Sequence, residues 1–187
     1  MRARVALSSL ALLLVAGCQS YRGDVESPYY VVPDGSRLSL NQPLSFAPGQ
    51  VSLHGQNGRV LPMNQVQAYE PFCKFELYTR VDEARTVQPQ EITVTRARQY
   101  RVDGNYSALG GLQLAGFSFG LYAGEPDGGV PLYSYVTRMD LHSPAEPDVY
   151  RLTCLRWSYP GMAEHVSIEE IRRTLSPLFT LRLPNER

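Results

Sequence analysis

Short runs of alternating apolar and polar residues, each closed by Gly, Pro or Asn, recur from Tyr29 to the end of the chain. A side-chain period of two fits a strand with one buried face and does not fit a helix. Leu38 and Leu40 share one side of a run over 37–41, and Pro48-Gly49 turns into a run over 51–54. Asn57-Gly58 is a strong hairpin signal. Further strands are predicted over 30–32, 63–69, 72–80, 91–102, 111–122, 132–141, 149–158 and 178–183. Starts spaced by about 8–15 residues suit an antiparallel sandwich or barrel. The 12 tyrosines favour pleated, half-buried surfaces.

One segment argues for helix. Ser167-Ile168-Glu169-Glu170 is a capping box, with Ser167 as N-cap and Glu170 three residues on. Ile168, Ile171 and Leu175 fall on one helical face, and Pro177 ends the segment. The fold class expected is therefore mainly β, an antiparallel sandwich or barrel-like domain with one short C-terminal helix.

The N-terminus follows a different logic. Arg2 and Arg4 give a basic start, and residues 5–16 are apolar except for Ser8 and Ser9. That stretch is short for a bilayer span, which needs about 20 apolar residues, but suits the apolar core of a secretory signal. Leu14-Val15-Ala16-Gly17-Cys18 follows at its end and resembles the lipobox of bacterial lipoproteins. The resemblance covers about the first 18 residues. It implies diacylglyceryl modification of Cys18, cleavage before it and acylation of the new N-terminus. Gln19, where an aspartate would favour inner-membrane retention, implies an outer-membrane destination in enteric-type bacteria. Several acyl chains, at about 0.8 kcal/mol per buried CH₂, make such an anchor effectively permanent. An ordinary signal peptide that ends near a cysteine is the plainer alternative. Residues 1–17 are thus expected to be a signal peptide, 18–28 a lipidated tether and 29–187 a single periplasmic β domain.

Without residues 1–17 the chain retains 170 of its 187 residues, enough for one domain with its own core. Arg2 and Arg4 leave, so 16 basic residues face 18 acidic ones, a net of −2. No strongly basic face points to nucleic acid. Two cysteines remain, Cys73 and Cys154, 81 positions apart. Cys73, Phe75 and Leu77 alternate on one face, as do Tyr150, Leu152 and Cys154. Both thiols then point inward, and in an oxidising compartment the pair reads as a disulfide. Two buried free thiols are the alternative. No His or Cys at ligand spacing accompanies either cysteine, and His54, His142 and His165 are scattered, so neither a metal nor a cofactor is indicated.

Three stretches invite a chemical reading. Gly116-Phe117-Ser118-Phe119-Gly120 matches the letters of a nucleophile elbow, with Asp140 or Asp148 and then His165 downstream in the right order. The residues after it, Leu121-Tyr122-Ala123-Gly124-Glu125-Pro126, cannot make the helix that the elbow requires. Around it, from Gly104 to Gly124, there is no charge in 21 positions. Leu112 and Leu114 mark one face there and Phe117, Phe119 and Leu121 the other, with a phase slip at Ala115-Gly116 that suggests a bulge. This is either a strand pair buried on both faces or an aromatic surface that augments a partner's sheet. Finally, Arg96 and Arg98 alternate on one strand face with Tyr100 beside them and Arg101 adjacent. They are either a solvated face or a grip for a carboxylate, a phosphate-bearing head group or an acidic glycan.

The function expected is a lipid-anchored outer-membrane lipoprotein, a non-enzymatic accessory or binding module of the envelope with a protein partner there. A Ser118-dependent hydrolase and a small ligand or lipid carrier are the alternatives.

Overall fold

The computed structural model describes residues 23–103, 132–161, 164–184 and 186. Cys18, Ser118 and the candidate partner surface at Leu112, Leu114, Phe117, Phe119 and Leu121 lie outside them. The fold is mainly β. Ten strands are described: β1 (Arg37–Leu40), β2 (Leu44–Phe46), β3 (Ser52–Gln56), β4 (Arg59–Leu61), β5 (Phe72–Leu77), β6 (Arg85–Val87), β7 (Gln90–Asp103), β8 (Tyr133–His142), β9 (Val149–Ser158) and β10 (Phe179–Arg182). One helix, α1 (Ile168–Leu175), precedes β10. Eight strands form one antiparallel sheet in the order β10-β1-β7-β8-β9-β5-β3-β4, curled into a half-barrel. β2 and β6 pair separately.

The inner side of the half-barrel is the main core. Leu38 and Leu40 of β1, Ile92 and Val94 of β7, Met139 of β8, Leu152 of β9 and Phe75 of β5 are all buried there. α1 lies on this side, and its Ile168, Ile171 and Leu175 complete the core. Ser167 caps the helix as its sequence predicts: Glu170 N donates to Ser167 Oγ (3.3 Å) and Ser167 N to Glu170 Oε2 (2.9 Å). Arg156 of β9 reaches both Glu170 oxygens (3.0 and 2.9 Å), which fastens the start of the helix to the sheet. Cys73 and Cys154 are directly paired residues of β5 and β9 and form a disulfide, Cα–Cα 4.0 Å, buried in this layer.

Two β-bulges decide which side chains face outward. In β7 the register passes from Val94↔Leu141 to Arg96↔Asp140, leaving Thr95 as an extra residue. Ile92, Val94, Arg96 and Arg98 all share even parity, so strict alternation sends both arginines into the core. The bulge reverses the phase: Val94 is buried, Ala97 packs against the inner core, and Arg96 and Arg98 are exposed. In β9 the partners pass from Glu76↔Arg151 to Leu77↔Val149, leaving Tyr150 extra. Val149 and Leu152 are buried in the inner core, whereas the Tyr150 ring lies against Tyr78, centroids 4.1 Å apart. This corrects the expectation that Tyr150 shares the face of Leu152 and Cys154.

The other departures from the sequence reading are local. Residues 63–69 contain a 3₁₀ turn, Met63–Gln65, rather than a strand. The Gln56 side chain takes up the backbone of this segment, accepting from Gln67 N (3.0 Å) and donating to Gln67 O (2.9 Å) and Pro71 O (3.3 Å). The segment covers a second, outer cluster in which Ala68, Phe72, Val136 and Leu155 are buried beside Tyr100 and Trp157. Residues 30–32 form no strand, although Val32 joins the core. The Asn57-Gly58 turn is present between β3 and β4, with φ of 50° and 71°. Gly58 N donates to Thr174 O (3.0 Å), which brings this end of the sheet against the C-terminal turn of α1.

Candidate functional site

Outward residues of β5, β7, β8 and β9 form two parallel rows across the outer face. Lys74, Thr153, Arg138 and Arg98 occupy one row, and Glu76, Arg151, Asp140 and Arg96 the next. Directly opposed neighbours stand about 5 Å apart at Cβ. Five cations and two carboxylates leave this patch with three positive charges in excess. The two bulges border the second row, so each re-aims an arginine beside Asp140: Arg96 from β7 and Arg151 from β9.

The charges are unevenly satisfied. Glu76 and Arg151 are mostly buried and paired in bidentate fashion, with Nη2–Oε1 at 3.2 Å, and Lys74 Nζ lies 3.0 Å from Glu76 Oε1. Burial pushes the Glu76 carboxyl up, but the hydrogen bonds from Arg151 and Lys74 outweigh it and hold the group below the usual carboxylate range. Arg138 Nε donates to Asp140 Oδ1 (2.9 Å), and its guanidinium lies 5.8 Å from the Tyr150 ring centroid. Arg96 and Arg98 are exposed and form no ion pair among the described residues. The Thr153 hydroxyl, between Lys74 and Arg138, is fully buried and has no hydrogen-bond partner among the described residues.

Of the three arginines singled out in the sequence, Arg96 and Arg98 therefore belong to one surface, and Arg101 does not. Arg101 has the opposite parity, pairs with Asp103 (3.4 Å) and lies 4.4 Å over the Tyr133 ring on the other face. Lys74, Glu76, Arg138, Arg151 and Thr153 were not singled out in the sequence, and Asp140 was singled out only as a candidate acid for Ser118. Their signal is nonetheless present: Lys74/Glu76, Arg138/Asp140 and Arg151/Thr153 each lie two apart on the polar side of an alternating run.

Other constellations do not converge. Asp140 is on the outer face, whereas His165 lies inside between the rings of Tyr29 (6.4 Å) and Tyr135 (5.5 Å). Burial lowers the His165 pKa, a backbone contact with Val136 raises it, and nearby Arg156 lowers it; the net shift is downward. Asp148 is engaged by Arg85 and accepts from Thr79 N (3.0 Å). Among the described residues no three His, Cys, Asp or Glu side chains stand where they can share a metal ion. No described helix is long and apolar enough to cross a membrane. A shallow trough of about 720 Å³ runs between the segment 23–34 and Ala97. Among the described residues, α1 and the inward strand side chains pack together as the main core. In comparisons with known proteins, no family model, curated protein or solved structure matches this chain.

Proposed function

We propose that this chain is a bacterial lipoprotein, held by acyl groups on Cys18 at the periplasmic side of the outer membrane, and that its β domain is a non-enzymatic binding module of the envelope. The observation that carries the reading is the Leu14-Val15-Ala16-Gly17-Cys18 motif at the end of an apolar run with a basic start. The buried Cys73–Cys154 disulfide supports it, since such bonds persist in oxidising compartments. The charged outer face is the surface that such a module offers.

Metabolic labelling with an alkyne fatty acid in the native host, followed by mass spectrometry of the mature N-terminus, tests the anchor. Label on Cys18 of a cut chain, absent in Cys18→Ser, is the expected result. An uncut chain with an unmodified Cys18 in the cytosol would overturn it. Crosslinking of intact envelopes tests the module: a reproducible partner is expected, and recovery as a lone monomer under every condition counts against it.

A further inference from the structure

The outer face contains a conflict that the protein alone does not resolve. Arg98 of β7 and Arg138 of β8 are directly opposed residues, and like charges so placed destabilise a strand pair. Asp140 neutralises only part of this: it accepts from Arg138, while Arg98 and Arg96 form no ion pair among the described residues. Excess positive charge thus adjoins across two neighbouring strands. An oxyanion seated over the row answers it, since it screens the two guanidinium groups from each other.

We infer that Arg98 and Arg138, flanked by Arg96, form a binding subsite for a phosphate group. Planar guanidinium forks match the oxygens of a phosphate two at a time. Three guanidinium groups offer more donors than the two oxygens of a carboxylate accept, whereas a phosphate monoester presents three oxygens and up to two charges. The inference deepens the reading of the outer face as a binding surface and rests on it, but it does not depend on the anchor at Cys18.

The test uses the full chain carrying Cys18→Ser, so that acyl insertion adds nothing to membrane binding. Melting temperature and titration calorimetry are measured in inorganic phosphate and in sodium chloride of equal ionic strength. Phosphate is expected to stabilise beyond chloride, with binding about tenfold weaker in Arg98→Gln, the loss of roughly one charge-assisted contact. In chloride, Arg98→Gln melts no lower than the parent, because it removes a repulsion and leaves no partner stranded. Arg101→Gln, on the opposite face, keeps the full phosphate response. Flotation with phosphatidylcholine vesicles, with and without phosphatidic acid, whose head group is a phosphate monoester, separates the sources. Arg98-dependent binding to the anionic vesicles alone assigns the phosphate to a lipid head group. A response to inorganic phosphate without vesicle binding assigns it to a soluble phosphate compound. A phosphate effect equal to that of chloride, or unchanged in both Arg98→Gln and Arg96→Gln, overturns the inference while leaving fatty-acid labelling of Cys18 untouched.

Discussion

Cys73 of β5 and Cys154 of β9 occupy directly opposed positions in the sheet and close a loop across 81 positions of sequence. A crosslink of that span acts mainly by restricting the unfolded chain, by about 4–5 kcal/mol in the chain-entropy account. Urea unfolding of the Cys73→Ala/Cys154→Ala double variant should therefore show a loss of that order, with near-native secondary structure before the transition. Because both sulfurs are buried, reductant alone should leave the bond intact until denaturant opens the sheet.

The Glu76–Arg151 pair predicts an acid response with a definite sign. The folded Glu76 carboxyl titrates below its ordinary value of 4.5, so its contribution is present above that pH and fades as pH falls through the lower folded value. Glu76→Gln should destabilise at pH 7, and the gap to the parent should narrow at acid pH in urea midpoints. Arg151→Met should cost about 2 kcal/mol, less than the roughly 3–5 kcal/mol of a fully stranded charge, because Lys74 still faces the carboxylate.

His165 gives a second pH window. Its folded pKa lies below 6.5, so the unfolded chain takes up the proton first. Stability should be level above about pH 7 and decline as pH drops beneath 6.5. His165→Phe should flatten part of that decline, and His54, also lowered by burial and by Lys74, should account for a further part.

Thr95 is dispensable both in chemistry and in count. Thr95→Ala removes one hydroxyl contact to Asp140 O (3.1 Å) and should change stability by about 1 kcal/mol or less. Deleting Thr95 removes the extra residue and leaves Val94 inward, Arg96 outward, Ala97 inward and Arg98 outward by plain alternation, so the variant should keep a cooperative melt by circular dichroism.

Gly58→Ala tests the contact between the β3–β4 turn and the end of α1. The position has φ +71°, and an added Cβ would lie 2.1 Å from Ser176 O and 2.6 Å from Pro177 Cδ. The backbone strain and the clash together should cost about 1–3 kcal/mol, read as a lowered melting temperature.

Much of this architecture was legible in the residues. The runs holding β5, β7, β8, β9 and β10 announce themselves by alternation, and α1 by its capping box and the spacing of Ile168, Ile171 and Leu175. The disulfide follows from two cysteines on apolar faces. What escaped depends on partners distant in sequence. β2 and β6 are each three residues long, too short for a period to show, and exist through pairing with each other. Residues 63–69 look apolar enough for a strand, but Gln56 holds their backbone in another path. The outer charged rows need the register of four strands before Arg98 and Arg138 become neighbours. The bulges were readable in principle, since Val94 and Ala97 cannot both face inward without a slip between them.

β1 is held between β7 on one side and β10 on the other, so a strand near the start of the domain is completed by one near its end. During synthesis with the N-terminus leading, β1 keeps a bare row of amides and carbonyls until residues 179–182 emerge. Such distant closure slows folding and leaves an open edge to other chains in the meantime. Assembly kinetics, rather than final stability, is therefore where this molecule most needs protection from its neighbours.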